Sequence, residues 1–188
     1  MSKYFKKFEG KNLFLSPVNT EDYITYTTWM NDLKVTVGLG NTTMNVSTLS
    51  EKEFIEKLAK DGHNFAIVHK QPENLIGNCS IFNINNMHGT AEVGLFIGDE
   101  QYRSKGYGQE ALELLLCYGF KILNLNNIML RVFSFNEMAI KSYKNAGFKE
   151  FGRRTHAFKI NGKRFDEVYM EIMAQSFNSE YLSDRLPS

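Results

Sequence analysis

Apolar positions along the chain recur with two different periods. Runs rich in Ile, Val, Leu and Phe at Asn12 to Val18, His63 to Lys70, Leu75 to Ile84, Thr90 to Gly98 and Asn127 to Phe135 predict strands. Turn residues at Gln71 to Asn74 and Asn85 to Gly89 divide the middle three into an antiparallel meander. Helical spacing covers Glu21 to Asn31, Glu51 to Asp61, Gly106 to Leu123 and Asn136 to Ala146. Ser50, followed three residues later by Glu53, reads as the start signal of the second helix, and the stretch before it reads as a loop. The third helix carries a broad stripe of Ala111, Leu112, Leu114, Leu115, Leu116, Tyr118, Ile122 and Leu123, wide enough to cover a sheet. Ser134 or Asn136 caps the fourth helix, and Gly147 ends it. A hairpin turning at Asn161-Gly162 completes the pattern, so strands at both ends enclose a β-α-β-α segment.

The length of 188 residues, with 43% apolar and 23% charged content, fits one α/β domain over residues 1–188 with a polar tail from about 178 to 188. A net charge of +1 gives no field that would draw nucleic acid or a membrane surface. No apolar run is long enough to span a bilayer, and Met1 to Lys11 mixes Lys with Tyr and Phe, so the expectation is a cytoplasmic protein. Cys79 and Cys117 lack redox or metal spacing and read as buried thiols; His63, His69, His88 and His156 show no zinc pattern, so no metal is expected.

Candidate chemistry starts at Gln101 to Ala111, a basic, glycine-bearing turn that opens the third helix. Gly106 and Gly108 permit a tight turn, the first amides of a helix point outward unpaired, and Arg103 and Lys105 add charge. Main-chain donors over residues 103–108 suit a diphosphate. The same residues satisfy Gly-x-Gly-x-x-Ala through Gly106, Gly108 and Ala111, the fingerprint of a dinucleotide fold, but the strand that follows has no acid to hold a ribose hydroxyl.

The turn also matches the Arg/Gln-x-x-Gly-x-Gly/Ala pattern at Arg103, Gly106 and Gly108, and a second pattern, Asn-x-x-Ala-x-x-x-Tyr-x-x-x-Gly-Phe, is met by Asn136, Ala139, Tyr143, Gly147 and Phe148. In these motifs and the interval between them the chain resembles the GCN5-related N-acetyltransferases, in the branch of the RimJ/RimL-type and spermidine N-acetyltransferases. The resemblance implies a mixed central sheet of about six to seven strands, splayed at the acetyl-CoA site and flanked by about four helices, with an acceptor region near 12–62 and a coenzyme core near 90–150. It implies that Arg103, Ser104, Lys105, Gly106, Tyr107 and Gly108 cradle the pyrophosphate, that the backbone of Leu95, Phe96 and Ile97 meets the pantetheine arm, and that Asn136 and Ala139 border the coenzyme. A non-catalytic acyl-CoA-binding module is the alternative class.

The implied chemistry is attack of a neutral amine on an acetyl thioester, which requires loss of an ammonium proton, stabilisation of an oxyanion and protonation of the departing thiolate. The resemblance makes Tyr143 the proton donor, with packed aromatic as the plain alternative, and Glu92 the proton acceptor, with a solvent-facing strand residue as the plain alternative. It also makes the backbone near Ile97 an oxyanion donor and Phe158 to Lys163 a substrate-side hairpin. Partners are therefore acetyl-CoA and an amine, with a homodimer an open option. For the acceptor, Asp22, Asp32, Glu51, Glu53 and Glu56 could serve a polyamine, although Gly38 to Thr43 lacks acids where the polyamine enzymes tend to carry them, and a protein N-terminus or an amino sugar stays open. Tyr26 and Trp29 either line that pocket or pack.

Overall fold

The computed structural model of the chain describes residues 2–182; of the expected polar tail, positions 183–188 lie outside the described residues. The chain divides into two compact units, Met1–Ser80 with Leu95–Leu114, and Ile81–Gly94 with Leu115–Ser188.

In the first unit, β1 (Phe8–Glu9), β2 (Leu13–Pro17), β3 (Asn64–Lys70) and the start of β4 (Glu73–Asn85) pair antiparallel in chain order, with Leu13 opposite His69 and Asn64 opposite Ser80. The later half of β5 (Thr90–Ile97) belongs to this unit and lies beside β4. Three helices, α1 (Tyr23–Met30), α2 (Leu33–Leu39) and α3 (Thr48–Lys60), precede β3, and α4 (Tyr107–Cys117) begins in the same unit. Phe14, Val18, Tyr26, Trp29, Val35, Ile55, Ala66, Val68 and Leu75 form its core, and Phe96 packs against them.

Two features here differ from the sequence expectation. The supposed loop before the second helix contains α2, because Asp32 accepts a hydrogen bond from the Lys34 amide at 2.9 Å and Gly40 closes the helix at φ 73°. The start of α3 is set by Ser47, not Ser50: Ser47 Oγ accepts from the Ser50 amide, and Ser50 Oγ reaches back to the Ser47 amide, both at 3.1 Å. Ser50 and Glu53 therefore fall inside the helix, and the reciprocal pair is built from two serines.

In the second unit, the end of β4 and the start of β5 adjoin β6 (Asn127–Phe133), followed in sheet order by β8 (Lys163–Met173) and β7 (Lys149–Ile160). β5 and β6 are parallel, with Thr90, Ala91 and Glu92 opposite Asn127, Ile128 and Met129; the ladder ends there although β5 runs to Ile97 and β6 to Phe133. β6–β8 and β8–β7 are antiparallel, and β7 turns into β8 at Asn161-Gly162 as expected. Helix α4 stops at Cys117 and a wider turn follows, in which the Leu123 amide reaches the Tyr118 carbonyl at 3.0 Å. Helix α5 (Glu137–Asn145) is capped by Asn136, whose side chain accepts from the Ala139 amide at 3.2 Å; Ser134 instead accepts from the Asp166 amide. Ile81, Ala91, Ile128, Leu130, Val132, Phe148, Val168, Met170 and Ile172 are buried in this unit.

The class is thus mixed α/β with a mainly antiparallel sheet. Among the described residues the eight strands and five α-helices exceed the expected six to seven and four; the additions are the two-residue β1 and the short α2. Cys79 and Cys117 are both buried thiols outside any disulfide, as expected.

Candidate active site

The sequence-derived site residues fall into two sets, one in each unit. Leu95, Phe96, Ile97 and Arg103 to Gly108 lie in the first. Asp99 begins a short turn over Glu100–Tyr102 by accepting from the Gln101 amide at 2.9 Å. The chain then passes through Ser104 at φ 59° and Gly106 at φ 85°, and α4 starts at Tyr107. A side chain at Gly106 would be strained by that left-handed backbone, although the space beside it is open.

Which donors remain available differs in part from the expectation. The Arg103 amide donates to the Glu100 carbonyl at 3.2 Å and so leaves the expected set over 103–108. The amides of Lys105, Gly106, Tyr107 and Gly108 make no hydrogen bond to protein among the described residues, whereas those of Gln109 and Glu110 are already bonded to the Gly106 carbonyl. Four consecutive uncommitted amides at a helix start form a donor array with positive polarity.

Arg103 itself is a brace. Its Nε donates to the Ile97 carbonyl at 3.0 Å and its Nη2 to the Gly98 carbonyl at 2.6 Å, tying the end of β5 to the turn while keeping the positive charge beside it. Gly108 lies against Ile97 and Leu95, a Cβ there standing 3.7 and 3.8 Å from their side chains. Phe96 meets Trp29 edge-on at 5.9 Å, and Trp29 meets Tyr26 at 5.4 Å. A Cβ at Gly77 would collide with the Phe96 carbonyl oxygen, so glycine there lets β4 approach β5.

Two of the five carboxylates considered for an amine acceptor, Asp22 and Asp32, have structural work. Asp22 is buried and paired with Lys3, Asp32 caps α2, and Glu53 is exposed. Glu51 is buried near the start of α3, and burial raises its pKa above the usual carboxylate range. Tyr26 and Trp29 are core residues, and the Tyr26 hydroxyl accepts from Asn78 at 3.2 Å, so packing is their role.

In the second unit, Asn136, Ala139 and Tyr143 share α5, with Asn136 and Ala139 joined through the cap. The Tyr143 ring lies 6.0 Å from that of Phe148. Burial pushes its phenol up to about 12, and among the described residues its hydroxyl makes no hydrogen bond. The hydroxyls of Tyr4, Tyr26 and Tyr169 are all engaged with Asp22, Asn78 and Glu167 respectively. Among the described residues nothing accepts the Tyr143 phenol proton.

Glu92 is different. It is 8% exposed, its Oε1 accepts from Arg131 Nε at 2.6 Å and its Oε2 from Asn83 Nδ2 at 3.2 Å. Arg131 also faces Glu167 at 3.5 Å, and Glu167 accepts from the Tyr169 hydroxyl at 2.7 Å. The expected free proton acceptor is thus the centre of a polar network, and Arg131 and Asn83 were not anticipated. Only strand register reveals Arg131: Glu92 lies opposite Met129, and Arg131 follows two residues on, facing the same side of β6.

The hairpin residue Phe158 stacks on Phe133 at 4.4 Å, with Phe135 and Phe165 adjoining. His156 lies in β7 at φ 54°, its amide donating to Asp166. Among the described residues no group of three or more His, Cys, Asp or Glu could hold a metal ion, and no helix is long and apolar enough to cross a membrane.

A family model described as an acetyltransferase (GNAT) domain matches residues 12–149. Spermidine N(1)-acetyltransferase of Vibrio cholerae serotype O1 is 34% identical over 59% of this chain and 64% of its own length. The enzyme of the same name from Escherichia coli K12 is 35% identical over 56% of each. This chain thus spans less than two thirds of those curated relatives. A crystal structure of spermidine N-acetyltransferase from Vibrio cholerae in complex with CoA and spermine superposes with a TM-score of 0.79 at 27% identity, covering 89% of this chain and 98% of that one.

Proposed function

We propose, from the premise that this chain belongs to the acetyltransferase (GNAT) domain family, that it transfers the acetyl group of acetyl-CoA to a primary amine of a small molecule. The observation that carries the reading is the donor array of Lys105 to Gly108 at the start of α4. Four amides uncommitted among the described residues, open space beside Gly106 and the nearby charge of Arg103 and Lys105 fit a diphosphate. The coenzyme supplies an activated acetyl thioester; the residues of this chain bind it and move protons.

In this reading the backbone of Lys105, Gly106, Tyr107 and Gly108 grips the pyrophosphate, joined by Ser104. The backbone of Leu95, Phe96 and Ile97 meets the pantetheine arm. The Ile97 carbonyl is occupied by Arg103, so any contact at Ile97 falls to its amide. Asn136 and Ala139 border the coenzyme from the start of α5. Tyr143 delivers the proton that the leaving thiolate needs: its phenol is uncommitted, and burial holds it protonated well above neutral pH.

Glu92 enters as an anchor. With Arg131 on one oxygen and Asn83 on the other, it has little room to take a proton directly, and its part is to hold Arg131 and Glu167 in register. A water between amine and network is the route by which it can still act as base.

The relatives and the solved structure named above are all spermidine acetyltransferases, which supports a polyamine acceptor. A polyamine is therefore the first acceptor to try, ahead of amino sugars and peptide N-termini. The structural engagement of Asp22 and Asp32 leaves Glu51, Glu53 and Glu56 as the N-terminal carboxylates available to a cationic chain. The competing reading is a module that binds acyl-CoA without turnover, and the unused phenol of Tyr143 favours the enzyme.

Release of CoA from acetyl-CoA, followed across polyamines, amino sugars and peptides, tests the proposal. Release that depends on one of these amines is the expected result. Tight binding of acetyl-CoA with no release across the whole panel would instead establish the module, and binding of NADH in preference to acetyl-CoA would overturn the coenzyme assignment.

A further inference from the structure

We propose that His69, on β3, is a positioning residue for coenzyme binding, its imidazole clamping both ends of the turn that carries the four free amides. The inference rests on the acetyl-CoA reading and adds a residue that neither motif contains. Tyr102 closes the short turn before Arg103, and Tyr107 opens α4 after Gly106. Both rings pack on His69, with centroids 4.9 and 5.0 Å away, and lie 5.8 Å from each other. The segment Arg103 to Gly106 is therefore a loop whose two feet rest on one side chain.

That side chain stands on a firm base. β3 is an interior strand between β2 and β4, and His69 is opposite Leu13 on one side and Asn74 on the other. Nδ1 of His69 lies 3.3 Å from the Pro72 carbonyl oxygen. A carbonyl only accepts, so Nδ1 carries the proton of this contact and the ring orientation is set.

A second tie acts one turn further along α4. The Glu110 carboxylate accepts from the Asn12 amide at 2.8 Å and from Asn12 Nδ2 at 2.9 Å. The Asn12 carbonyl in turn accepts from the Lys70 amide, the residue after His69. The first turn of α4 is thus fastened twice to one small patch of sheet, by rings at Tyr107 and by a carboxylate at Glu110.

The loop between these ties needs such support. It includes a non-glycine residue, Ser104, at φ 59°, and among the described residues the Lys105 and Gly106 amides make no hydrogen bond that would hold them aligned. A loop that samples other conformations binds its ligand more weakly in proportion to the time spent elsewhere. Fixing both feet on one ring removes that loss before the ligand arrives.

His69→Ala tests this by titration calorimetry and steady-state kinetics on the full chain. Loss of two ring contacts should weaken acetyl-CoA binding by roughly tenfold and raise its KM in step, with kcat at saturation within about twofold of wild type. His69→Phe should return the affinity to within about threefold, because ring packing and not a proton does the work. Unchanged affinity in His69→Ala, a fall in kcat without a change in KM, or failure of His69→Phe to rescue would each overturn the assignment. Should His69→Ala not fold, Tyr102→Leu removes one ring without touching β3 and should weaken binding by about threefold; wild-type affinity would again count against the clamp. Unaltered binding in these variants beside a wild type that binds acetyl-CoA removes the clamp alone, whereas a wild type that binds no acetyl-CoA removes the coenzyme reading beneath it.

Discussion

The glycine turn of the first unit and the α5 region of the second use opposite means. Around the turn the groups proposed to bind are backbone amides, and side chains nearby contact their frame: Arg103 is bonded to the end of β5, and His69 and Glu110 are in contact with or tied at the start of α4. Around α5 the groups proposed to act are side chains, and what matters is which are already committed. Among the described residues the Tyr143 phenol makes no hydrogen bond, whereas the Glu92 carboxylate is bonded at both oxygens. A backbone site survives conservative changes to its side chains and fails when its path is blocked. A side-chain site fails when one atom is removed.

That contrast fixes the ranking of substitutions. Tyr143→Phe should have the largest effect on chemistry, lowering kcat by about 10²-fold or more while acetyl-CoA affinity stays within about twofold. A burial-raised phenol keeps its proton to higher pH, so the wild-type rate should show no fall attributable to Tyr143 up to about pH 10. A Tyr143-dependent loss beginning well below that point would contradict the donor role.

Gly77→Ala follows, and its effect is on the scaffold. The new methyl group meets the Phe96 carbonyl oxygen, so β4 and β5 must separate locally, at a cost of about 1–3 kcal/mol. Thermal unfolding should report a lowered Tm, and an unchanged Tm would mean that the strands can shift freely.

Glu92→Gln is the smallest expected change. As an anchor, Glu92 should be worth no more than about tenfold in kcat, with the acidic limb of the pH profile kept. A loss as large as that of Tyr143→Phe, with the acidic limb abolished, would restore Glu92 as the direct proton acceptor.

The two regions were also unequally legible in the sequence. Glycines with required backbone shapes announce themselves, so the turn at Gly106, the end of α5 at Gly147 and the hairpin at Asn161-Gly162 all lie where expected, at φ 85°, 97° and, for the last pair, 46° and 72°. Spacing likewise offers Ser134 or Asn136 as the cap of α5, and Asn136 takes the place. Long-range pairing left no such mark. Nothing local links Glu92 to Arg131, which strand register joins across 39 positions, or Tyr107 to His69, joined by rings from β3 and α4. Helix α2 was missed for a related reason: its seven residues include two threonine or glycine positions of poor helical preference, and a cap at each end outweighs them. The Ser50 start of α3 was displaced because Ser47 and Ser50 cap reciprocally, a pairing that the Ser-to-Glu interval conceals.

The central claim is that the amides of Lys105 to Gly108 grip the diphosphate of acetyl-CoA, and calorimetric titration of acetyl-CoA into the wild type and Gly108→Trp tests it most directly. The indole would fill the space beside Leu95 and Ile97 and block the backbone. The account predicts clear binding to the wild type and none, or at least a hundredfold loss on the order of 3 kcal/mol, in a Gly108→Trp variant whose unfolding temperature is preserved. Equal affinity in the two folded proteins would contradict it.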